Sequence, residues 1–275
     1  MEPAQPSSGP GFGSGFGPRF GSGFGSGFGS AWRVRPVGVT ASTNGDALAA
    51  AAAGEPEGLV VVADHQTAGR GRLGRTWVAP HGTALLMSVL LRPPPEVAHF
   101  AVMAVGCAAA AACASAGFTP GLKWPNDLVS DGRKLGGILA EVAASTSGNV
   151  AAVVVGLGLN IHRPPDRPDE LAAVAVDLED LVGAPVERDA LLSLILGELT
   201  PRYAELLQSG PLELLTEYRS RCVTIGGEVR VEQPGDVVVA GTAVGVDDSG
   251  ALLVSSGPDL VVRVEVGDVV HVRRV

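Results

Sequence analysis

Residues 58–77 read GLVVVADHQTAGRGRLGRTW, and this stretch decides how the rest of the chain is interpreted. Its first half, from Leu59 to Asp64, is an unbroken apolar and β-branched run, which is typical of a buried strand. Its second half starts at Gly69, places three glycines and three arginines in seven residues, and ends at Trp77. Glycine lets a backbone approach a ligand closely, and the arginine guanidinium matches phosphate and carboxylate groups. The stretch therefore predicts a strand that leads into a mobile loop around an anionic ligand.

The charge and composition of the chain disfavour several classes of protein. Its 275 residues include 20 basic and 29 acidic ones, and the net charge of −9 disfavours a nonspecific nucleic-acid binder. The 46% of hydrophobic residues are enough for a sizeable core in one or two domains. The three cysteines, Cys107, Cys113 and Cys222, show no CxxC spacing and indicate buried thiols in a reducing compartment. The histidines form no HExxH or other metal-ligand pattern.

No segment of the chain is predicted to direct it to a membrane. The first residues lack a basic region followed by an apolar run, so no secretory signal is visible. The apolar run Phe100–Gly117 is mostly alanine, which is weakly lipophilic, and it predicts a buried helix from about Val97 to Gly117. We therefore expect a soluble, cytoplasmic protein that contacts no membrane.

The composition changes twice along the chain and predicts three regions. Residues 1–31 repeat glycine, phenylalanine and serine, which cannot form a packed core, and they predict a disordered tail. Residues 32–222 contain apolar strand patterns and amphipathic helix patterns. Residues 223–275 contain short valine-rich strands separated by glycine turns, the pattern of a small β-barrel. We expect an α+β fold, in which helices flank a mixed β-sheet and a small barrel follows.

Two polar clusters flank the apolar strands in the first half of the chain. Ser42-Thr43-Asn44 precedes an alanine-rich helix and, taken alone, is explained as a helix cap, although a helix N-terminus also offers free amides to a ligand. Lys123–Leu128 reads KWPNDL. Within it Asn126-Asp127 is compatible with a simple Asx turn, and core packing is the favoured interpretation of Trp124.

Two further clusters are rich in glycine. Lys134 begins a strand that continues through Gly136-Gly137, and such a pair marks a close approach of a ligand or of another backbone. Glu141, further along the same strand, is interpreted as only an outward-facing residue. Gly156–Asn160 ends the next apolar strand, and the two strands predict a hairpin with its turn at Ser147-Gly148-Asn149.

Four ordered clusters resemble the biotin protein ligase family over about residues 36–275. They are Ser42-Thr43-Asn44, Gln66 with the Gly69–Trp77 loop, Lys123–Leu128 with Arg133–Leu139, and Gly156–Asn160. The resemblance implies a class II synthetase-like catalytic domain followed by an SH3-like barrel. It also implies a two-step reaction, in which biotin and Mg-ATP form biotinoyl-5'-AMP and a lysine of a biotin carboxyl carrier protein domain of an acyl-CoA carboxylase then accepts biotin. No covalent enzyme intermediate is needed, and the sequence contains no GxSxG elbow or P-loop.

The resemblance also implies roles for individual residues. Lys134, Arg70 and Arg72 would be catalytic, with Lys134 the most important. The residues implied to bind biotin are Ser42, Thr43, Asn44, Gln66, Arg70, Gly71, Arg72, Lys134, Gly136 and Gly137. The residues implied to bind ATP or the adenylate are Arg75, Trp77, Asn126, Asp127 and Asn160, with Asp127 near Mg²⁺. For Trp77, core packing and adenylate contact are equally favoured.

Departures from the family pattern leave alternatives open. Bifunctional relatives carry an N-terminal DNA-binding domain, and the region before Trp32 is too short and too rich in glycine for one, so we expect a ligase that binds no DNA. Leu73 stands where relatives often have a basic residue. A lipoate- or octanoyl-type acyl protein ligase is one alternative, against which the polar Ser42-Thr43-Asn44 and Gln66 argue. A noncatalytic nucleotide- or RNA-binding module is another.

Overall fold

A computed structural model describes residues 31–144, 150–235 and 237–271 of the chain. The tail predicted for residues 1–31 lies outside this range except for Ala31, and the turn predicted at Ser147-Gly148-Asn149 also lies outside it.

The larger sheet has seven strands and forms the centre of the molecule. Its strands are β1 Arg33–Thr40, β2 Leu59–Gln66, β3 Ala84–Leu91, β4 Gly121–Lys123, β5 Asp127–Ser130, β6 Arg133–Ala144 and β7 Val150–Asn160. They are hydrogen-bonded in the order β1-β2-β3-β7-β6-β5-β4. The β1 and β2 strands are parallel and the other pairs are antiparallel, which confirms the predicted mixed sheet. Strand β3 is buried along its whole length, as expected for a central strand covered on both faces.

Helices cover both faces of this sheet. Their bounds are α1 Thr43–Ala52, α2 Ala101–Ser115, α3 Asp169–Ala172, α4 Leu178–Val182, α5 Arg188–Ser209 and α6 Leu212–Arg221. Helix α1 packs against one face through Ala47 and Ala51, whereas α2, α5 and α6 pack together with the other face in the main core. Pro201 lies inside α5. The sheet thus separates two hydrophobic clusters, as a three-layer α+β domain does.

The alanine-rich helix is shorter than the sequence predicts. The pattern predicts a helix from about Val97 to Gly117, but α2 starts at Ala101 after a 3₁₀ turn and ends before Gly117, whose φ is +113°. The segment Ala98–Ser115 is long and apolar enough to cross a membrane, but 72% of it is buried inside the protein. It is a core helix, and its alanines allow α5 to pack closely against it.

The second sheet follows α6 and has five antiparallel strands. These are β8 Glu228–Gln233, β9 Val237–Val246, β10 Leu252–Gly257, β11 Leu260–Val264 and β12 Asp268–His271. Their order is β11-β10-β9-β8-β12, which is consistent with the predicted SH3-like fold. Among residues 223–235 and 237–271, no pairing between β11 and β12 closes the sheet into a barrel.

The two sheets are joined through Trp124, which is 2% exposed. Its indole Nε1 donates a hydrogen bond to the carbonyl oxygen of Gly250 at 3.0 Å, and its backbone amide donates one to Thr224 Oγ1 at 3.0 Å. The favoured core-packing interpretation of Trp124 is therefore confirmed, and the KWPND segment lies at the junction with the C-terminal sheet.

Candidate active site

A cavity of about 750 Å³ opens on the α1 side of the larger sheet. It lies where β2 ends, where α1 begins and where the Arg/Gly loop folds back, so three chain segments converge on it. Its far wall is formed by the segment that follows β7, including Leu171 and Val174. Convergent polar groups in one apolar-walled cavity are typical of a small-molecule site.

The floor of the cavity is a polar network at the start of α1. Ser42 is the helix N-cap, and its Oγ accepts a hydrogen bond from the Gly45 amide. The Gln66 carbonyl oxygen accepts from the Thr43 amide at 2.8 Å and from Thr43 Oγ1 at 3.1 Å. Ser88 Oγ on β3 lies 2.7 Å from Thr43 Oγ1 and 2.6 Å from Asn44 Oδ1. This network holds the side chains in fixed orientations, so the floor is preorganised for a polar ligand group.

The Arg/Gly loop is a small hairpin that bends over the cavity. The Trp77 amide donates to the Gly69 carbonyl at 3.0 Å, and the Gly71 amide donates to the Arg75 carbonyl at 2.7 Å. A Cβ added at Gly69 would lie 2.5 Å from the Trp77 carbonyl oxygen, so this close approach requires glycine. At the tip, Leu73 and Gly74 both have positive φ, +54° and +74°. We name residues Gly69–Trp77 the lid hairpin.

Each cation around the cavity has an acidic partner. Arg70 pairs with Glu141 at 2.9 Å, and Arg75 pairs with Asp268 at the start of β12. Arg72 donates to Asn126 Oδ1 at 3.1 Å and lies 4.0 Å from Asp268. Burial lowers the pKa of Arg72, and the nearby Asp268 opposes this effect. The guanidinium groups are therefore held in place by carboxylates that an incoming anion would compete with.

Lys134 lies near the start of β6 and lines the cavity. Its Nζ lies 2.6 Å from Asp127 Oδ1 and 5.7 Å from the centre of the Trp77 ring. Its backbone is fixed from outside the sheet, because its amide donates to the Val174 carbonyl at 2.7 Å and its carbonyl accepts from Val176. Asn160 Nδ2 also donates to the Val176 carbonyl, at 3.3 Å. These contacts hold the β6 start and the far wall together around the lysine.

Trp77 closes the cavity between the lid hairpin and the sheet. A Cβ added at Gly158 would lie 2.5 Å from its ring, and one at Gly137 would lie 3.3 Å from it. Trp77 Nε1 is buried and has no hydrogen-bond partner within the described ranges of the chain. The indole therefore packs against two glycines, and its Nε1 donor is left without a partner among the described residues.

A second hollow of about 790 Å³ adjoins the first at the domain junction. The two share Arg75, Asn126, Asp127 and Asp268 as lining residues. Lys123 lies in this second hollow, where burial lowers the pKa of its amine and Asp127 opposes the shift.

The structure brings nearly all of the residues predicted from the sequence to one cavity. They are Ser42, Thr43, Asn44, Gln66, Arg70, Gly71, Arg72, Arg75, Trp77, Asn126, Asp127, Lys134, Gly137 and Asn160. Gly136 is the exception, because it does not line the cavity. A Cβ there would lie 2.9 Å from both the Gly158 carbonyl oxygen and a Leu159 methyl group, so this glycine permits strand packing and not ligand approach.

Several residues of the site were missed or misinterpreted from the sequence. The strand pattern predicts an outward-facing Glu141, but its carboxylate accepts hydrogen bonds from Asn44 and Arg70. Ser88 and Asp268 were not singled out, and each completes a polar contact from a distant segment. Arg167 lines the far wall and forms a bidentate pair with the buried Asp177, at 2.5 and 2.6 Å. A serine inside an apolar strand was the one signal available for Ser88.

A mixed sheet with a capped helix, a glycine-rich hairpin and a lysine around one cavity defines a catalytic domain of the biotin and lipoate ligase type. Residues 39–160 match the Biotin/lipoate A/B protein ligase family, and residues 224–272 match the Biotin protein ligase C terminal domain. The fold is similar to that of a biotin protein ligase from Aquifex aeolicus in complex with biotin and ATP. The TM-score is 0.74 at 23% identity, with 88% of this chain and 99% of that chain covered.

Two curated relatives show how close the similarity is. The chain is 42% identical over 251 residues to the biotin–[acetyl-CoA-carboxylase] ligase of Mycobacterium tuberculosis, covering 88% of this chain and 90% of that protein. It is 37% identical over 210 residues to the bifunctional ligase/repressor BirA of Bacillus subtilis, covering 73% of this chain and 62% of that protein. The chain therefore belongs to the biotin protein ligase family.

Proposed function

We propose that this enzyme activates biotin with ATP to biotinoyl-5'-AMP and transfers biotin to a lysine of a biotin carboxyl carrier protein domain. The observation that carries the proposal is the pairing of a polar floor with a cationic lid in one cavity. The relative from M. tuberculosis is named for acetyl-CoA carboxylase, which supports a carboxylase as the source of the carrier domain.

The floor would bind the ureido ring of biotin. Gln66 uses its carbonyl oxygen on Thr43, which leaves its amide NH₂ to donate to a ligand. Ser42, Thr43 and the start of α1 add hydroxyl and backbone groups beside it. Asn44 would support the floor without donating from its side chain to biotin, because its side-chain amide already contacts Ser88, Leu139 and Glu141. Lipoate has no ureido group, so this floor favours biotin.

The cations would bring two anions together. A biotin carboxylate oxygen attacks the α-phosphorus of ATP, and pyrophosphate leaves. Lys134, with Arg72 on the lid hairpin, would offset the repulsion between the carboxylate and the phosphates, whereas the guanidinium of Arg70 is paired with Glu141. Gly71 and Gly137 would allow the backbone to approach the ligand. An acceptor amine then attacks the acyl carbonyl, AMP leaves, and the amine gives up a proton as the amide forms.

The adenine side of ATP would lie toward the far wall. Trp77 would pack its ring against the nucleotide, and Asn160 and Arg75 line the same cavity. The lid hairpin would exclude water from the adenylate until an acceptor arrives.

Mg²⁺ would enter with the phosphates of ATP and neutralise part of their charge. The Asp127 carboxylate and the Asn126 side-chain oxygen supply the hard oxygen atoms that Mg²⁺ prefers. Mg²⁺ needs only one or two protein carboxylates when phosphates also bind it. Within residues 31–144, 150–235 and 237–271, no cluster of three or more metal-binding side chains exists. The donor set therefore fits an ion delivered with ATP.

We also propose domain bounds and a location for the enzyme. The catalytic domain would span residues 32–222 and the C-terminal domain residues 223–275, with the Gly/Phe/Ser-rich segment 1–31 as a tail. The enzyme would act in the cytoplasm and bind neither membrane nor DNA, in keeping with its net charge of −9. An electrophoretic mobility shift assay checks DNA binding.

The test is ATP-dependent transfer of labelled biotin to a purified carrier domain. We expect transfer that requires ATP and biotin and that lipoate or octanoate cannot replace. A folded wild-type protein that transfers no biotin would contradict the proposal, and transfer of lipoate alone would favour the lipoate ligase class.

A further inference from the structure

Glu141 on β6 contacts two residues that line the active-site cavity, Asn44 and Arg70. Its carboxylate pairs with Arg70 of the lid hairpin, with Nη1–Oε1 at 2.9 Å and Nη2–Oε2 at 3.0 Å. The same Oε2 accepts a hydrogen bond from Asn44 Nδ2 at 2.8 Å. One carboxylate therefore joins the lid hairpin to the first turn of α1.

The contact with the lid has a defined geometry. Two parallel N–H···O bonds between a guanidinium and a carboxylate fix both distance and orientation. The Arg70 side chain is 47% exposed and the Glu141 side chain 23%, so solvent screens the pair in part. The Glu141 partner still occupies the face of Arg70 that a phosphate or carboxylate would use.

The contact with the floor is more deeply buried. Asn44 is 4% exposed, donates also to the Leu139 carbonyl at 3.1 Å, and meets Ser88 at 2.6 Å. A Cβ at Gly156 would lie 2.2 Å from Asn44 Oδ1, so the asparagine is confined by backbone. Glu141 is thus anchored to a rigid group on one side and to a loop on the other.

We propose that Glu141 is a positioning residue that tethers the lid hairpin to the biotin-binding floor, and that the tether retains biotinoyl-AMP in the site. This inference rests on the proposed function for its ligand, whereas the tether itself is a property of the ligand-free protein. Arg70 forms the lid-hairpin side of this tether, and Lys134 and Arg72 contact the reacting groups.

The tether and a direct ligand role for Arg70 predict opposite effects of removing the Glu141 charge. If Arg70 bound the phosphates directly, neutralising its carboxylate partner would free the guanidinium and strengthen ATP binding. If Glu141 holds the lid, the same change loosens the lid and the adenylate escapes faster.

Glu141→Gln separates these cases with little change in shape. In this variant, we expect biotinoyl-AMP to be released about five- to tenfold faster in a chase with unlabelled biotin. The biotin KM should rise by a similar factor, and single-turnover pyrophosphate release at saturating biotin should change less than about twofold. Glu205→Gln, which removes an exposed carboxylate from α5, is the matched control and should behave as wild type.

Amide hydrogen exchange in the absence of any ligand measures directly how firmly the lid hairpin is held. We expect residues 69–77 to exchange faster in Glu141→Gln than in wild type or Glu205→Gln, with the exchange of α5 unchanged. Arg70→Met cuts the same contact from the loop side and should reproduce this result, and the double variant should add nothing further.

Unchanged exchange of the lid hairpin in both Glu141→Gln and Arg70→Met, or slower adenylate release from Glu141→Gln, would overturn the inference. If the wild type transfers no biotin while lid exchange still rises in both variants, the tether stands and the proposed function falls. The two failures are therefore distinguishable.

Discussion

Among single residues, Lys134 combines the most features expected of the group that stabilises the reacting charge. It lies in the cavity, forms an ion pair with Asp127 at 2.6 Å, and is held by backbone hydrogen bonds to Val174 and Val176. Lys134→Ala should lower biotin-dependent pyrophosphate release by at least about 10²-fold, since it removes a preorganised cation from the phosphates. Arg230→Ala, which removes an exposed cation from β8, is the control. Near-normal pyrophosphate release by the Lys134 variant would refute this role.

Gly158 tests whether Trp77 contacts the nucleotide. A Cβ at this position would lie 2.5–2.9 Å from three atoms of the indole, so Gly158→Ala must displace the ring. Overpacking of this kind costs about 1–3 kcal/mol, and we expect the ATP KM to rise about tenfold. The biotin KM should change less than about threefold. Gly245→Ala, where nothing lies within 4 Å, is the matched control, and equal changes in both KM values would contradict the assignment.

At the scale of elements, helix α5 contains a glycine that its packing does not need. Gly197 lies in the helix interior, and no atom lies within 4 Å of the position that a Cβ would occupy there, so alanine fits without strain. Gly197→Ala should raise the free energy of unfolding by about 0.5–1 kcal/mol. Gly210→Ala, at the end of the same helix with φ of +84°, should instead destabilise the protein. Urea denaturation measures both, and stabilisation by Gly210→Ala would show that the helix end is misassigned.

Elements with a local signal were predicted well from the sequence. Asp131-Gly132 predicts a tight turn, and both residues have positive φ, +48° and +74°, between β5 and β6. The strand before the lid hairpin and the capped α1 helix follow from apolar runs and capping residues in the same way. The strand order was not predicted, because pairing of β3 with β7 depends on segments far apart in sequence.

Ion pairs between residues far apart in the sequence are the main feature of the site that the sequence does not predict. Glu141 lies 71 positions from Arg70, and its alternation pattern alone suggested an outward, solvated side chain. Asp268 reaches Arg75 only because the C-terminal sheet packs beside the lid hairpin. At Gly136 the sequence correctly predicts a close approach, because the position has no room for a side chain. The group that approaches Gly136 is the neighbouring strand and not a ligand.

At the scale of the whole molecule, the chain contains few lysines that its own reactive intermediate could acylate. Only two of the 20 basic residues are lysines, Lys123 and Lys134, and both lie at the two adjoining hollows. Lys134 is engaged with Asp127, whereas burial lowers the pKa of Lys123, so a larger fraction of its amine is neutral and nucleophilic near neutral pH.

We therefore expect self-biotinylation of side chains to be confined to Lys123. Incubation with biotin and ATP but no carrier domain, followed by peptide mass spectrometry, should find label on Lys123 that increases between about pH 7 and 9, since deprotonation increases the reactive amine. Lys123→Arg should remove the label, and added carrier domain should suppress it by consuming the adenylate. Label on Lys134 at equal occupancy would show instead that the adenylate carbonyl faces the ion-paired lysine, and that the second hollow plays no part in the approach of an amine.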